Sequence, residues 1–237
     1  MLYINNQWLE GKAKSFQSIN PFNGEIIWEG NFADITQMKS AVSTAYKSHE
    51  SWSSQSVKLR IKIIKKFYDL LEKNKLEMTR LITYETGKTN ADAASEVNAA
   101  LAKLSNSTLA YKKRTGSKNN LIGDMEAHLL HASYGVMSVV GPFNFPLHLP
   151  NGHITPALIA GNTIVFKPSE LTPMVAEYTM VLWEKAGLPA GVINMIQGGR
   201  EIVKGLCEHP LNKGLLFTGS YKVGRKINKI MSCYPEK

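Results

Sequence analysis

The chain has 237 residues, 43% of them hydrophobic and 20% charged, with a formal net charge of +9. Such a balance fits a folded globular protein large enough to bury a sizeable core, as one domain or one domain with an appendage. No run of about 18 apolar residues occurs, so no membrane-spanning helix is expected. The opening MLYINNQWLEG lacks the basic-then-apolar order of a signal peptide, which makes the cytoplasm the expected compartment.

The positive charge is not spread at random. Its densest run, KLRIKIIKK at 58–66, interleaves with Leu59, Ile63, Phe67 and Leu70 at helical spacing. That is a solvated helix face over a buried one, and no nucleic-acid motif accompanies it. A basic balance remains compatible with an anionic dinucleotide. Two cysteines, Cys207 and Cys233, offer neither metal-ligand spacing nor a disulfide framework.

In chain order, residues 1–33 read as short strands with turns: a strand over 3–8, a turn at Asn20-Pro21-Phe22-Asn23-Gly24, and a strand over 25–29. Asn23-Gly24 between apolar runs is a hairpin signal. Helices follow. Asp34 or Thr36 can cap one that runs through Met38, Val42 and Tyr46. Residues 58–72 give a second, 76–86 a third that ends at Gly87, and the Ala- and Leu-rich 91–111 a long fourth. Residues 112–125 read as a polar connection and 126–133 as a strand.

From Tyr134 onward the punctuation sharpens. An apolar β-branched run at 136–140 is ended by Gly141-Pro142, and Asn144 sits between two Phe residues ahead of Pro146. Helical spacing covers 150–159, Gly161-Asn162 closes that helix, and 163–166 is a second buried strand. Thr172 is placed to cap a helix to Ala186, broken by the glycines at 187 and 191. Residues 192–196 form a third strand, 201–207 a short helix, and 214–217 a fourth strand. Thr218–Gly224 then leads into a last helix through Ile227 and Ile230. This alternation predicts an α/β fold: a doubly wound parallel sheet with right-handed crossovers. The expected division is 1–111 packing on a cofactor domain, 112–134 as a separate connecting segment, and 135–237 as the α/β core.

In an open α/β sheet, ligands sit at the carboxyl ends of the strands. Lys167 and Glu170 leave the second strand there. A carboxylate accepts hydrogen bonds from ribose hydroxyls and repels a 2′-phosphate, whereas the bland reading is a surface pair three residues apart. Gly219-Ser220-Tyr221-Lys222-Val223-Gly224 opens a helix and is a pyrophosphate candidate, since helix N-termini favour anions; the alternative is a glycine-softened helix start. Gly198, at the exit of the third strand, gives a cofactor room to approach. Asn144 is either an amide donor or a turn residue. His148 and His153, five apart, read as lying on different helix faces and not as metal ligands.

GPFNFP at 141–146 followed by GNTIVFKPSELTP at 161–173 resembles the aldehyde dehydrogenase superfamily, and the fuller string from Asn144 to Pro173 is most similar to its succinylglutamate-semialdehyde dehydrogenase branch. The resemblance runs from NPFNGEII at 20–27 to the last residue. It implies an aldehyde-dehydrogenase-type Rossmann variant with N-terminal helices and, over 112–134, a projecting β-hairpin that pairs between subunits, so a homo-oligomer. It also implies NAD as cofactor, an aldehyde substrate, and the reaction of N-succinylglutamate 5-semialdehyde to N-succinylglutamate. Asn144 becomes the oxyanion donor and Phe143 a cofactor neighbour, with FTGS at 217–220 and Gly224 as the pyrophosphate segment.

In that family a thiol attacks the aldehyde, hydride leaves to the nicotinamide, and water hydrolyses the thioester. The thiol lies in a Gly-Gln-x-Cys-type segment and the base in a Glu-(Leu/Met)-Gly-Gly segment. Neither occurs here. Cys207 reads as a small buried hydrophobe and Cys233 lies near the chain end. The expectation is therefore the cofactor-binding portion of such an enzyme without its catalytic domain, inactive alone. The alternative is a non-catalytic NAD-binding or subunit-interaction module.

Overall fold

A computed structural model of the chain describes residues 1–115 and 118–237. Gly116 and Ser117, inside the polar connection read at 112–125, lie outside the described residues. The fold is α/β, and its main sheet has six strands. These are β1 (Leu2–Ile4), β2 (Gln7–Leu9), β7 (Val136–Val140), β8 (Thr163–Lys167), β9 (Ile193–Met195) and β10 (Asn212–Phe217), in the order β10-β7-β8-β9-β1-β2. The four strands from the second half are parallel.

The N-terminus corrects the first reading. Residues 3–8 are not one strand, because Asn5 and Asn6 both take positive φ, 54° and 57°. Asn tolerates that region better than most residues, so the pair makes a tight hairpin turn. The resulting β1–β2 hairpin adds antiparallel to β9, and the Asn5 N–H donates to Asn194 Oδ1 at 3.0 Å. The sheet is therefore mixed and not purely parallel. β3 (Ser15–Ile19) and β4 (Ile26–Asn31) pair on their own across the Asn20–Gly24 turn.

Helices cover both faces. On one face, β-strand side chains Val139, Ile164, Phe166, Ile193 and Met195 pack with α2 (Val57–Lys73), α3 (Lys75–Thr86), α4 (Asn90–Leu101), α6 (His148–Ile159) and α7 (Pro173–Lys185). Phe67 and Trp183 stack there with ring centroids 3.8 Å apart. On the other face, Val136, Val165 and Ile196 meet α1 (Ile35–Ser53) and α8 (Arg200–Glu208). The period-2 alternation of strands makes this division possible, since neighbours along a strand point to opposite faces.

Asp34 is the cap of α1, in a capping box with Gln37. Gly87 ends α3 at φ 70°. The long helix read over 91–111 is two helices, α4 and α5 (Lys103–Arg114), separated at Ala102. No Gly or Pro marks that break; the chain bends so that both halves pack against α6. Residues 112–133, which composition reads as a polar connection and a strand, carry the β-hairpin that the resemblance implies. β5 (Lys118–Ile122) and β6 (Met125–Leu129) form a hairpin apart from the main sheet, where Leu121, Ile122, Met125 and Leu129 are exposed. Thr172 occupies the N-cap of α7 but makes no capping hydrogen bond. Its place is taken by Glu85 of α3, whose carboxyl oxygens accept from Met174 N–H at 2.8 Å and Val175 N–H at 2.9 Å.

Candidate functional site

The chain moves from β7 to β8 to β9 across the sheet and then returns to the far side of β7 for β10. α6, after β7, lies on one face, while α8 and α9 (Tyr221–Met231) lie on the other. A crevice therefore opens between the carboxyl ends of β7 and β10, the usual ligand position in such a sheet. Gly141–Asn144 leaves β7 on one side of it, and Thr218–Ser220 leaves β10 on the other. Lys167 and Glu170 follow β8 one strand over, and Gln197-Gly198 follow β9 beyond them. Topology thus gathers every candidate residue at one edge.

The β7 exit is held tightly. Gly141 N–H donates to the Lys167 carbonyl at 3.0 Å, and Thr218 N–H to the Val140 carbonyl at 3.2 Å. A Cβ at Gly141 would lie 2.7 Å from Pro150 Cγ, so only glycine fits between strand and helix. Phe143, Asn144 and Phe145 then turn outward and are exposed. The Asn144 side chain makes no hydrogen bond among the described residues, and it does not cap α6.

What fixes α6 comes from far away in sequence. Its N-cap, Leu147, has no side chain able to cap. Instead the buried Glu96 carboxylate of α4 accepts from Leu147 N–H at 3.0 Å and His148 N–H at 3.2 Å, and it binds Lys88 Nζ at 2.6 Å. The Lys88 ammonium also lies 3.7 Å from the centre of the Phe145 ring. At the other end, Arg60 Nε donates to the Ile159 carbonyl at 3.0 Å and Trp52 Nε1 to the Leu158 carbonyl at 3.2 Å. An anion at the N-terminus and a cation at the C-terminus both complement the helix dipole. None of Arg60, Lys88 or Glu96 stands in a local motif: Arg60 falls in the run read as a solvated helix face yet is buried, and Lys88 lies between α3 and α4, where no helical period applies.

Lys167 is 4% exposed, and its ammonium meets Glu170 Oε2 at 3.2 Å. Burial lowers the Lys167 ammonium from its usual value, and Glu170 counteracts that in part. Burial alone would raise the Glu170 carboxyl, but Lys167 and a backbone hydrogen bond hold it below its usual value. Glu170 is therefore an ionised, half-exposed acceptor at neutral pH. At the β10 exit, Gly219 to Val223 are exposed. Ser220 caps α9 by accepting from Val223 N–H, and the N–H groups of Tyr221 and Lys222 have no intrahelical partner. Gly219 and Gly224 both pack on the Phe217 ring, where a Cβ would come within 2.5 and 3.3 Å. A Cβ at Gly198 would lie 2.4 Å from Ile202 Cγ1, so all three glycines also have packing reasons.

His148 and His153 point to different neighbours, His148 to Phe145 and His153 to Thr218. Positions 148, 149, 152, 153 and 156 form the half-exposed side of α6, opposite buried Pro150, Asn151, Ile154, Thr155 and Leu158. His153 Nε2 lies 2.9 Å from Thr218 Oγ1, across the crevice. No cluster of three or more His, Cys, Asp or Glu able to hold a metal occurs among the described residues. Cys207 is fully buried, and burial raises its thiol above the usual value; Cys233 is exposed beyond the end of α9.

Among known proteins, the aldehyde dehydrogenase family pattern matches residues 8–234. An N-succinylglutamate 5-semialdehyde dehydrogenase of Salmonella heidelberg is 47% identical over 236 residues, covering 100% of this chain and 48% of that protein. The chain thus spans about half the length of the curated relatives it matches. Betaine aldehyde dehydrogenase of Staphylococcus aureus, solved in complex with NAD+, superposes with a TM-score of 0.91 at 28% identity, over 98% of this chain and 48% of that one. An NADP-dependent enzyme of E. coli superposes with a TM-score of 0.93 at 27% identity, over 98% of this chain and 49% of that one. No helix among the described residues is long and apolar enough to cross a membrane.

Proposed function

The chain belongs to the aldehyde dehydrogenase family, and from that premise we propose that it holds NAD and orients the aldehyde in the oxidation of N-succinylglutamate 5-semialdehyde. The observation that carries this reading is the crevice itself. Asn144, the Lys167–Glu170 pair and the open first turn of α9 all border the carboxyl ends of adjacent parallel strands.

The residues present fit the cofactor. Glu170 keeps one oxygen on Lys167 and half its surface in solvent, which leaves it able to accept from ribose hydroxyls. A 2′-phosphate would meet this carboxylate at close range, so NAD is favoured over NADP. The N–H groups of Tyr221 and Lys222 offer a pyrophosphate two donors and the positive end of the α9 dipole. When bound, NAD accepts the hydride. Asn144 has a free amide, and its N–H stabilises the aldehyde oxygen as that oxygen gains negative charge, worth about 3–4 kcal/mol of barrier.

The thiol that adds to the aldehyde is not Cys207, which is closed off and held as the neutral thiol. It is not Cys233 either, which has no base beside it. In this reading the nucleophile comes from outside these 237 residues, and the chain by itself binds cofactor without turnover. That same observation favours the second reading, a non-catalytic NAD-binding or subunit-interaction module.

Calorimetric titration of the chain with NAD tests the reading. Saturable binding, weakened at least about tenfold in the Lys167→Ala/Glu170→Ala double variant, is expected. Absence of NAD binding by the folded chain would overturn it, and NADP binding as tight as NAD would overturn the role given to Glu170. NADH production by the chain alone, abolished by Cys207→Ser, would overturn the exclusion of that thiol.

A further inference from the structure

Away from the crevice, strands β2 and β4 of the two N-terminal hairpins meet helices α3 and α7 around a groove of about 370 Å³. Trp8, Trp28, Tyr178, Leu81, Met174 and Val181 line it. The polar edge of each aromatic residue is tied down. Trp8 Nε1 donates to Glu184 Oε2 at 3.2 Å, Trp28 Nε1 to Glu177 Oε2 at 3.0 Å, and the Tyr178 hydroxyl to Asn74 Oδ1 at 2.9 Å. Each indole is also backed by another ring: Tyr3 packs on Trp8 and Phe16 on Trp28, with ring centroids 4.9 and 4.8 Å apart. The rings therefore stand as fixed walls.

This groove is acidic in a chain whose net charge is +9. Glu77 and Glu177 complete its lining, which includes no Lys or Arg. Arg80 pairs with Glu77 at 2.7 and 3.0 Å, but both side chains are exposed, so water and salt screen the pair. Glu184 forms no ion pair among the described residues. The Met1 ammonium rests against Glu177 Oε1, so this carboxylate already receives a cation from the chain itself. An indole whose N–H is held by a carboxylate is richer in π electrons, and tryptophan offers the best aromatic face to a cation.

We propose that this groove is a binding site for an alkylguanidinium ligand, separate from the cofactor crevice. A guanidinium is flat and weakly hydrated, so it stacks on an indole face while its N–H edge turns toward a carboxylate. Trp8 and Trp28 offer the faces, and Glu77, 40% exposed, is a carboxylate with room to accept. Leu81, Met174 and Val181 give the aliphatic stem an apolar floor. The same carboxylates repel an anionic group, which narrows the class to guanidines whose stem bears no free carboxylate.

Butylguanidinium is the probe, titrated into the full chain with the indole N–H signals followed by NMR. The four tryptophans supply an internal control, since Trp52 and Trp183 are fully buried in the core. The expected result is a saturable shift of the Trp8 and Trp28 signals alone, weakened by salt. Neutral butylurea and anionic 4-guanidinobutanoate should each bind at least about tenfold more weakly. Trp8→Leu, read at Trp28, and Trp28→Leu, read at Trp8, should each weaken binding about fivefold or more. Val181→Arg places a resident guanidinium in the groove and leaves both indoles in place. It should weaken binding by a similar factor, and it keeps the test decisive where a Trp variant fails to fold. A cooperative melting curve certifies each variant. Equal binding of butylurea, affinity unchanged in Val181→Arg, or equal shifts at all four indoles would overturn the proposal, as would the absence of any shift at Trp8 and Trp28.

Discussion

At the scale of single residues, two buried glutamates do the work that local caps do elsewhere. Glu96 satisfies the first N–H groups of α6 and Glu85 those of α7. Each ties a helix of the sheet's cover to the strand–helix turn that opens the site. Removing one partner of a buried pair leaves the other charge uncompensated, at about 3–5 kcal/mol. Lys88→Met should therefore lower stability by about that much in urea unfolding, and Lys88→Met/Glu96→Gln should recover part of it. A loss under about 1 kcal/mol for Lys88→Met would show that solvent reaches Glu96 and compensates it.

Glu85 makes a separate prediction about pH. Burial pushes its carboxyl up to about 8, against the hydrogen bonds from Val175, Met174 and Ser18. The folded chain then holds a proton between pH 4.5 and 8 that the unfolded chain releases, so this group's contribution to stability falls as pH rises through that window. His49, His148, His153 and His209, all lowered by burial, act in the opposite sense below their usual value of 6.5. The contribution of Glu85 is isolated as the difference between the chain and Glu85→Gln, measured by urea unfolding at several pH values. That difference should shrink steadily from pH 5 to pH 8; a difference independent of pH would mean the carboxyl is ionised throughout.

Elements show where sequence reading succeeds and where it stops. Strands β7 and β8, helix α9 and the Asp34 cap were legible because Gly, Pro and polar caps punctuate apolar runs at the right period. The candidate site was legible for the same reason: strand–helix alternation alone sends Asn144, Lys167, Glu170 and Gly219 to one edge. Three features were not. The pairing of β1 with β9 joins Tyr3 to Met195, and nothing local records a partner that distant. The division of α4 from α5 follows from how both pack on α6, not from a breaker. The approach of Lys103 to Gly152 of α6 depends on where α5 begins. The N-terminal hairpin offers a direct test at this scale. A β-branched side chain at φ near 57° costs about 1–2 kcal/mol, so Asn6→Val should lower stability by that amount and Asn6→Gly should not. An unchanged melting temperature in Asn6→Val would mean the hairpin contributes nothing to the sheet.

For the whole molecule, the question is what its two open surfaces do. The edge at β2 is only three residues long, whereas β10 at the other edge has six and is half-exposed. Met137, Leu215, Phe217, Ile227 and Met231 line a groove of about 430 Å³ between this strand and α9. The second surface is the β5–β6 hairpin, where Leu121 is 80% and Met125 70% exposed. A long unpaired edge beside apolar groups is a template for another strand, and exposed apolar hairpins mark contact sites. The chain alone should therefore self-associate as its concentration rises, read as a growing weight-average sedimentation coefficient. Leu121→Lys and Leu215→Lys separate the two routes, because each places a charge on one surface and leaves the other intact. Association through the hairpin, the route that family resemblance implies, predicts that Leu121→Lys restores the monomer and Leu215→Lys does not. The reverse outcome would assign association to the sheet edge. A chain that stays monomeric at every concentration would show that neither surface pairs with its own kind, which would remove the self-association form of the subunit-interaction reading and leave NAD binding as this portion's contribution.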